Sequence, residues 1–146
     1  MKYVLMNESH VPFIVEIEKL CFSDPWSEAS IGSELKNKLS LWVVAEDNGK
    51  VAGYVGSQTV LGEADMMNLA VHPDYRRQGI GEQLVLQLIQ RLREQGSHIL
   101  ILEVRASNAP AISLYEKLGF VQVGRRPNYY YKPKEDALIL RKEWSV

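Results

Sequence analysis

The sequence predicts a chain of the α/β (α+β) class, a mixed sheet with helices packed on it. Two observations carry that expectation. Strand-like runs dominate residues 41–71 around a turn at Asp47-Asn48-Gly49-Lys50, and after Pro73 two helical patterns alternate with strands. Strands first, then strand-helix-strand-helix-strand, is the order of a mixed sheet.

Each element has its own reason. Lys2 to Met6 reads as a short strand, and Asn7 or Ser9 can cap a helix carrying Val11, Ile14, Val15, Ile17, Glu18 and Cys21, with Pro12 in its first turn. Asp24-Pro25-Trp26-Ser27 interrupts the chain, and Ser27 is placed to cap a second helix to about Lys36. Leu41 to Glu46 and Val51 to Val60 form a hairpin pair across Asn48-Gly49. Ala64 to Val71 is the next strand. Ile80, Leu84, Val85, Leu88, Ile89 and Leu92 recur every three or four residues, predicting the longest helix, which Gly96 closes. Ile99 to Val104, apolar but for Glu103, reads as a strand buried on both faces. Asn108 caps a last helix with Pro110 in its first turn and Gly119 at its end, and Val121 to Val123 and Ala137 to Leu140 complete the strands.

Composition bounds the function. At 146 residues, 46% hydrophobic and 24% charged, the chain is expected to be one domain, residues 1–146. Seventeen basic against eighteen acidic residues leave a net charge of -1, which offers no general attraction to nucleic acid or anionic membrane. A single cysteine, Cys21, reads as a small core hydrophobe and permits no internal disulfide; with no export segment apparent, a cytoplasmic protein is expected. His10, His72 and His98 share no ligand spacing, so no metal is expected.

The chemical signal is Arg76-Arg77-Gln78-Gly79-Ile80-Gly81 at the front of the long helix. A helix N-terminus presents unpaired N–H groups and about half a positive charge, and spaced glycines let an anion approach the backbone closely. A nucleotide loop of the Gly-Lys-Ser/Thr kind is excluded because Glu82 follows Gly81, and a dinucleotide fingerprint because Leu84 stands where its third glycine belongs. What remains is a cradle for a pyrophosphate without metal.

With Asn68-Leu69-Ala70-Val71-His72-Pro73 before it, this loop resembles the acetyl-CoA loop of the GNAT N-acetyltransferases, and Asn108 to Phe120 resembles that family's second cofactor-contacting segment. Leu102 to Asn108, Asn128-Tyr129-Tyr130, Glu135 to Ile139 and Pro25-Trp26-Ser27 are most similar to the RimI-type enzymes, which acetylate the N-terminal alanine of a small-subunit ribosomal protein. The resemblance implies a single, mostly antiparallel sheet of about six or seven strands with a central parallel pair and about four helices. It also implies acetyl-CoA contacts from the backbone of Leu69, Ala70 and Val71, from Arg77, Gln78, Gly79, Ile80, Gly81 and Glu82 around the pyrophosphate, and from the side chain of Asn108. The Glu82 carboxylate itself is expected in solvent.

Acetyl transfer to an amine needs a proton acceptor for the ammonium and a proton donor for the departing thiolate. Glu103, near the end of an apolar strand, is either the base or a solvated strand-end carboxylate; the resemblance assigns it the base. Tyr115, one turn from Ile112 and Gly119, is either a core tyrosine or the acid; the resemblance assigns it the acid. Trp26 and Tyr129-Tyr130-Tyr131 either line a peptide channel or pack on the core. A protein α-amine is the expected acceptor, by direct attack without an acetyl-cysteine. The alternatives are a small amine or lysine acceptor, or a non-catalytic module that binds acetyl-CoA.

Overall fold

The computed structural model describes residues 1–145. Seven strands, β1 (Lys2–Leu5), β2 (Ser40–Asp47), β3 (Lys50–Val60), β4 (Glu63–Val71), β5 (Ile99–Arg105), β6 (Val121–Tyr131) and β7 (Lys134–Glu143), form one sheet in the order β1-β2-β3-β4-β5-β7-β6. Every neighbouring pair is antiparallel except β4 and β5. The expected mixed sheet with its central parallel pair is therefore present.

Four helices cover it: α1 (Val11–Cys21), α2 (Glu28–Glu34), α3 (Ile80–Glu94) and α4 (Ala109–Lys117). Asn7 caps a short 3-10 turn, Glu8–His10, that leads into α1; Ser27 and Asn108 cap α2 and α4 through their side-chain oxygens. Asn48 and Gly49 both adopt positive φ, 49° and 85°, as a two-residue hairpin between right-twisted strands requires.

Strand alternation divides the core in two. Leu41, Val43 and Ala45 of β2 join α3 and Tyr115 on one face, whereas Trp42 and Val44 join α1 and Ile31 of α2 on the other. Burying Ile80, Leu84, Val85, Leu88, Ile89 and Leu92 of α3 contributes about 2 kcal/mol per large side chain.

Two expectations are corrected. β5 is not buried along both faces: Leu100, Leu102 and Val104 are buried on one, while on the other Ile99 is buried but Ile101, Glu103 and Arg105 are only half-buried. The reason is that α1 packs against β3 and β4 and leaves that face of β5 without a helix. The sixth strand extends well beyond Val121–Val123, to Tyr131, although nearly all of its residues are exposed. It exists through main-chain pairing with β7, which the side-chain pattern does not reveal, and it carries an irregularity between Arg126 and Tyr130 that contains Pro127 and Asn128 at φ 55°.

Candidate active site

The parallel pair is the origin of the site. β4 and β5 pair only from Glu63–Asp65 to Ile99–Ile101, yet β4 continues to Val71 and β5 to Arg105. β5 stays paired with β7 and β4 stays paired with β3, so the two strands diverge and one edge of Met66–Val71 faces a cleft. The pairing register slips at Met67, since Gly56 opposes Asn68 while Ser57 opposes Met66. Such a bulge increases local twist and re-aims backbone groups. From Met66 to Val71 the edge of β4 turned away from β3 has no strand partner among the described residues, and main-chain groups on such an edge can pair with an extended amide-bearing chain.

Past Val71, a 3-10 turn at Pro73–Tyr75 leads to the arginines. Tyr75 donates to Asp47 at 2.8 Å, tying this loop to the β2–β3 hairpin. Arg77 and Gly79 adopt positive φ, 63° and 73°, and Gly79 is the N-cap of α3 with no side-chain cap bond. Arg76, Arg77, Gln78 and Gly79 are exposed, and nothing lies within 4 Å of where a Gly79 Cβ would be. Ile80 is buried and a Cβ on Gly81 would stand 3.8 Å from Val71 Cγ2, so the first turn of α3 sits against the end of β4. The open donors and positive charge fit a pyrophosphate.

The Glu82 carboxylate is not free in solvent. It is half-buried and paired with Lys117 Nζ at 2.6 Å, which ties the first turn of α3 to the last turn of α4. Asn108 Oδ1 accepts from the Ala111 N–H at 3.3 Å, so its carbonyl serves the helix cap and its amide is the group left for a ligand.

Tyr115 is buried against Phe120, ring centroids 5.5 Å apart, with its hydroxyl 3.8 Å from Met66 Sδ. Met66 is the first β4 residue beyond the last pair with β5, so the phenol stands at the apex of the cleft. Burial, then Tyr130, pushes its pKa up, keeping the proton on the oxygen. Glu103 lies on the open face of β5. Its Oε1 is 3.5 Å from Arg126 Nε, and its Oε2 is shielded from solvent with no partner among the described residues. Burial first and Glu103 second raise the pKa of Tyr130, to about 12, and that of Tyr129. Asp65 is raised by burial, then by Glu103 and Glu63.

The structure gives a place to residues that the sequence reading left without a role. Arg105 stacks on Tyr130 at 4.3 Å and donates to the Pro133 carbonyl at 2.8 Å, the Lys132 carbonyl at 3.3 Å and Glu135 at 3.3 Å. Ser23, in the loop between α1 and α2, donates to the same Lys132 carbonyl at 2.9 Å. That loop and the β6–β7 turn therefore meet over the C-terminal end of β5. The spacing of Arg105, two residues after Glu103, is the signal that could have placed it on the same face. Of the aromatic candidates, Tyr130 and Tyr129 border Glu103, Tyr131 is largely exposed, and Trp26 packs edge-on to Trp42 at 5.7 Å in the second core. Cys21 lies 3.5 Å from Arg76 and 3.7 Å from the Val71 carbonyl, half-buried. Among the described residues no group of three His, Cys, Asp or Glu is placed to hold a metal ion, and no helix is long and apolar enough to cross a membrane.

Residues 11–120 match the model of the acetyltransferase (GNAT) family. The chain is 42% identical over 137 residues, 92% of each chain, to the [Ribosomal protein bS18]-alanine N-acetyltransferase of Escherichia coli K12, and 39% identical over 131 residues to that of Haemophilus influenzae, covering 87% of this chain and 88% of the other. The crystal structure of the E. coli ribosomal-protein-S18-alanine N-acetyltransferase superposes with a TM-score of 0.92 at 40% identity, over 99% of this chain and 94% of that one. A divergent parallel pair, a glycine-rich helix start and this likeness lead to one conclusion: the chain belongs to the GNAT family and is an acetyl-CoA-dependent N-acetyltransferase.

Proposed function

We propose that the protein acetylates the N-terminal alanine of a small-subunit ribosomal protein, the counterpart of bS18, in the cytoplasm. The observation that carries this reading is the 42% identity, extending over 92% of both chains, to an enzyme named for that reaction.

Acetyl-CoA supplies the acetyl group as an activated thioester. Leu69, Ala70 and Val71 would bind its pantetheine arm through their free backbone edge, Arg77, Gln78, Gly79, Ile80, Gly81 and Glu82 its pyrophosphate, and Asn108 its arm through the side-chain amide. A terminal ammonium with pKa near 8 must lose a proton before it attacks, and Glu103 accepts it, directly or through a water. A backbone N–H of Leu69–Val71 stabilises the negative charge that grows on the carbonyl oxygen. Tyr115 then gives its proton to the departing sulfur. The raised pKa of this phenol suits a group that must still hold its proton at neutral pH. Cys21 has no part in the transfer, which is direct from thioester to amine.

The test is thiol release with peptides beginning Ala, Ser and Met beside free polyamines and lysine. Turnover on the alanine peptide is expected, and none on any α-amine refutes the reading. Glu103→Gln and Tyr115→Phe should each cut turnover about tenfold or more while leaving coenzyme A affinity nearly intact. Unchanged rates in both remove the assigned acid and base.

A further inference from the structure

Glu18 is a charged residue in α1 with no exposure at all, and no Lys, Arg or His pairs with it among the described residues. A buried carboxylate persists only if its oxygens are occupied by donors. Here three donors meet it. The Trp26 N–H reaches Oε1 at 2.9 Å, while Asn68 Nδ2 at 2.8 Å and the Tyr54 hydroxyl reach Oε2.

These donors come from three parts of the chain. Trp26 belongs to the loop between α1 and α2, Tyr54 to β3, and Asn68 to β4 directly after the Met67 irregularity and directly before Leu69. One carboxylate thus joins the loop to the strand that edges the cleft. Trp26 against Trp42 at 5.7 Å, and Trp42 stacked on Tyr54 at 5.9 Å, brace the same junction. The loop's other anchor is the Ser23 bond to Lys132 at the tip of the β6–β7 turn. Through that anchor the loop shares the Lys132 carbonyl with Arg105, which stands two residues after Glu103 on β5.

We propose that Glu18 is a positioning residue for the acceptor: it fixes the α1–α2 loop against bulged β4, and so sets the entrance through which an amine reaches Glu103. The inference rests on the N-terminal acetyltransferase reading. It concerns the acceptor side, because none of the three groups that hold Glu18, the Trp26 N–H, the Tyr54 hydroxyl and the Asn68 side-chain amide, is one assigned to the cofactor.

Glu18→Leu keeps the volume and removes both acceptor atoms, while Glu18→Gln can keep an oxygen toward the Trp26 N–H with its amide turned toward Tyr54 and Asn68, each of which can also accept. Steady-state kinetics with an alanine-initiated peptide should show the acceptor KM rising about fivefold or more in Glu18→Leu, with the acetyl-CoA KM within about twofold, and the acceptor KM recovering to within about twofold in Glu18→Gln. A loss of folded fraction alone would lower kcat and move neither KM. Unchanged acceptor KM in folded Glu18→Leu, or equal rises in both KM values, overturns the proposal. If Glu18→Leu does not fold, Asn68→Ser, which severs only the strand side of the junction, carries the test: an acceptor KM raised about twofold or more supports positioning, and an unchanged one overturns it. Wild-type turnover on the peptide is the control, since its absence refutes the underlying reading and its presence isolates the role of Glu18.

Discussion

Gly53 lies on β3 opposite Val71, beneath the part of β4 that edges the cleft. A methyl group there would stand 2.8 Å from the Ala70 carbonyl oxygen, 3.2 Å from Leu84 Cδ1 and 3.3 Å from Val71 Cα. Two of those neighbours are main chain and cannot rotate away, so Gly53→Ala must displace β4 by some tenths of an ångström. Overpacking of this kind costs about 1–3 kcal/mol. For a chain of this size each kcal/mol lowers Tm by roughly 2–4 °C, giving an expected fall of about 2–12 °C in a calorimetric melt. Because the displaced segment is Leu69–Val71, titration calorimetry should also show coenzyme A affinity weakened about threefold or more. Gly79→Ala is the comparison: with no atom within 4 Å of the new methyl and φ at 73°, it strains the loop by about 1 kcal/mol without pushing any neighbour. A Gly53→Ala protein with wild-type Tm and wild-type coenzyme A affinity would refute the view that close packing under β4 shapes the cofactor edge.

Two further outcomes concern the β6–β7 hairpin. Asp136 is held below its ordinary pKa of 3.8 by the Asn128 N–H and then Arg125, and Glu135 below 4.5 by Ser107 and then Arg105. Depressed folded-state values mean that these contacts stabilise fully above the unfolded pKa values and fade as pH falls through the folded ones. Tm should therefore drop between about pH 5 and pH 3, less steeply in Asp136→Asn, and parallel curves would contradict this. In Arg105→Lys, an ammonium cannot serve the Tyr130 ring, two carbonyls and Glu135 together, so kcat/KM on an α-amine peptide should fall about threefold or more with little change in Tm. An unaltered rate would mean that the turn holds its place without the guanidinium.

Legibility varied along the chain for physical reasons. α3 was readable because six apolar residues recur at helical spacing and Gly79 and Gly96 bracket it. The β2–β3 hairpin was readable because Asn-Gly has one dominant use. The β3–β4 turn was not, since Leu61 at φ 52° with Gly62 adopts the same geometry without the customary residue. β6 was underestimated because a solvent-facing edge strand bears no hydrophobic alternation. Within the site, the phosphate loop, Glu103 and Tyr115 sit in contiguous motifs, whereas Glu18, Asn68 and Arg105 gain meaning only from partners far off in the chain. A glutamate at helical spacing among apolar residues was visible in α1; its three donors were not.

The short parallel pairing between β4 and β5 also divides the molecule mechanically. β1 to β4 are successive antiparallel neighbours, β5 to β7 form a second antiparallel group, and within the sheet the two blocks pair only at Glu63–Asp65 and Ile99–Ile101 among the described residues. The sheet's shortest ladder therefore runs straight into the cleft. Widening that cleft leaves the hydrogen-bond ladders inside each half-sheet untouched, and what resists it beyond this brief hem is the core under α3 that both halves share.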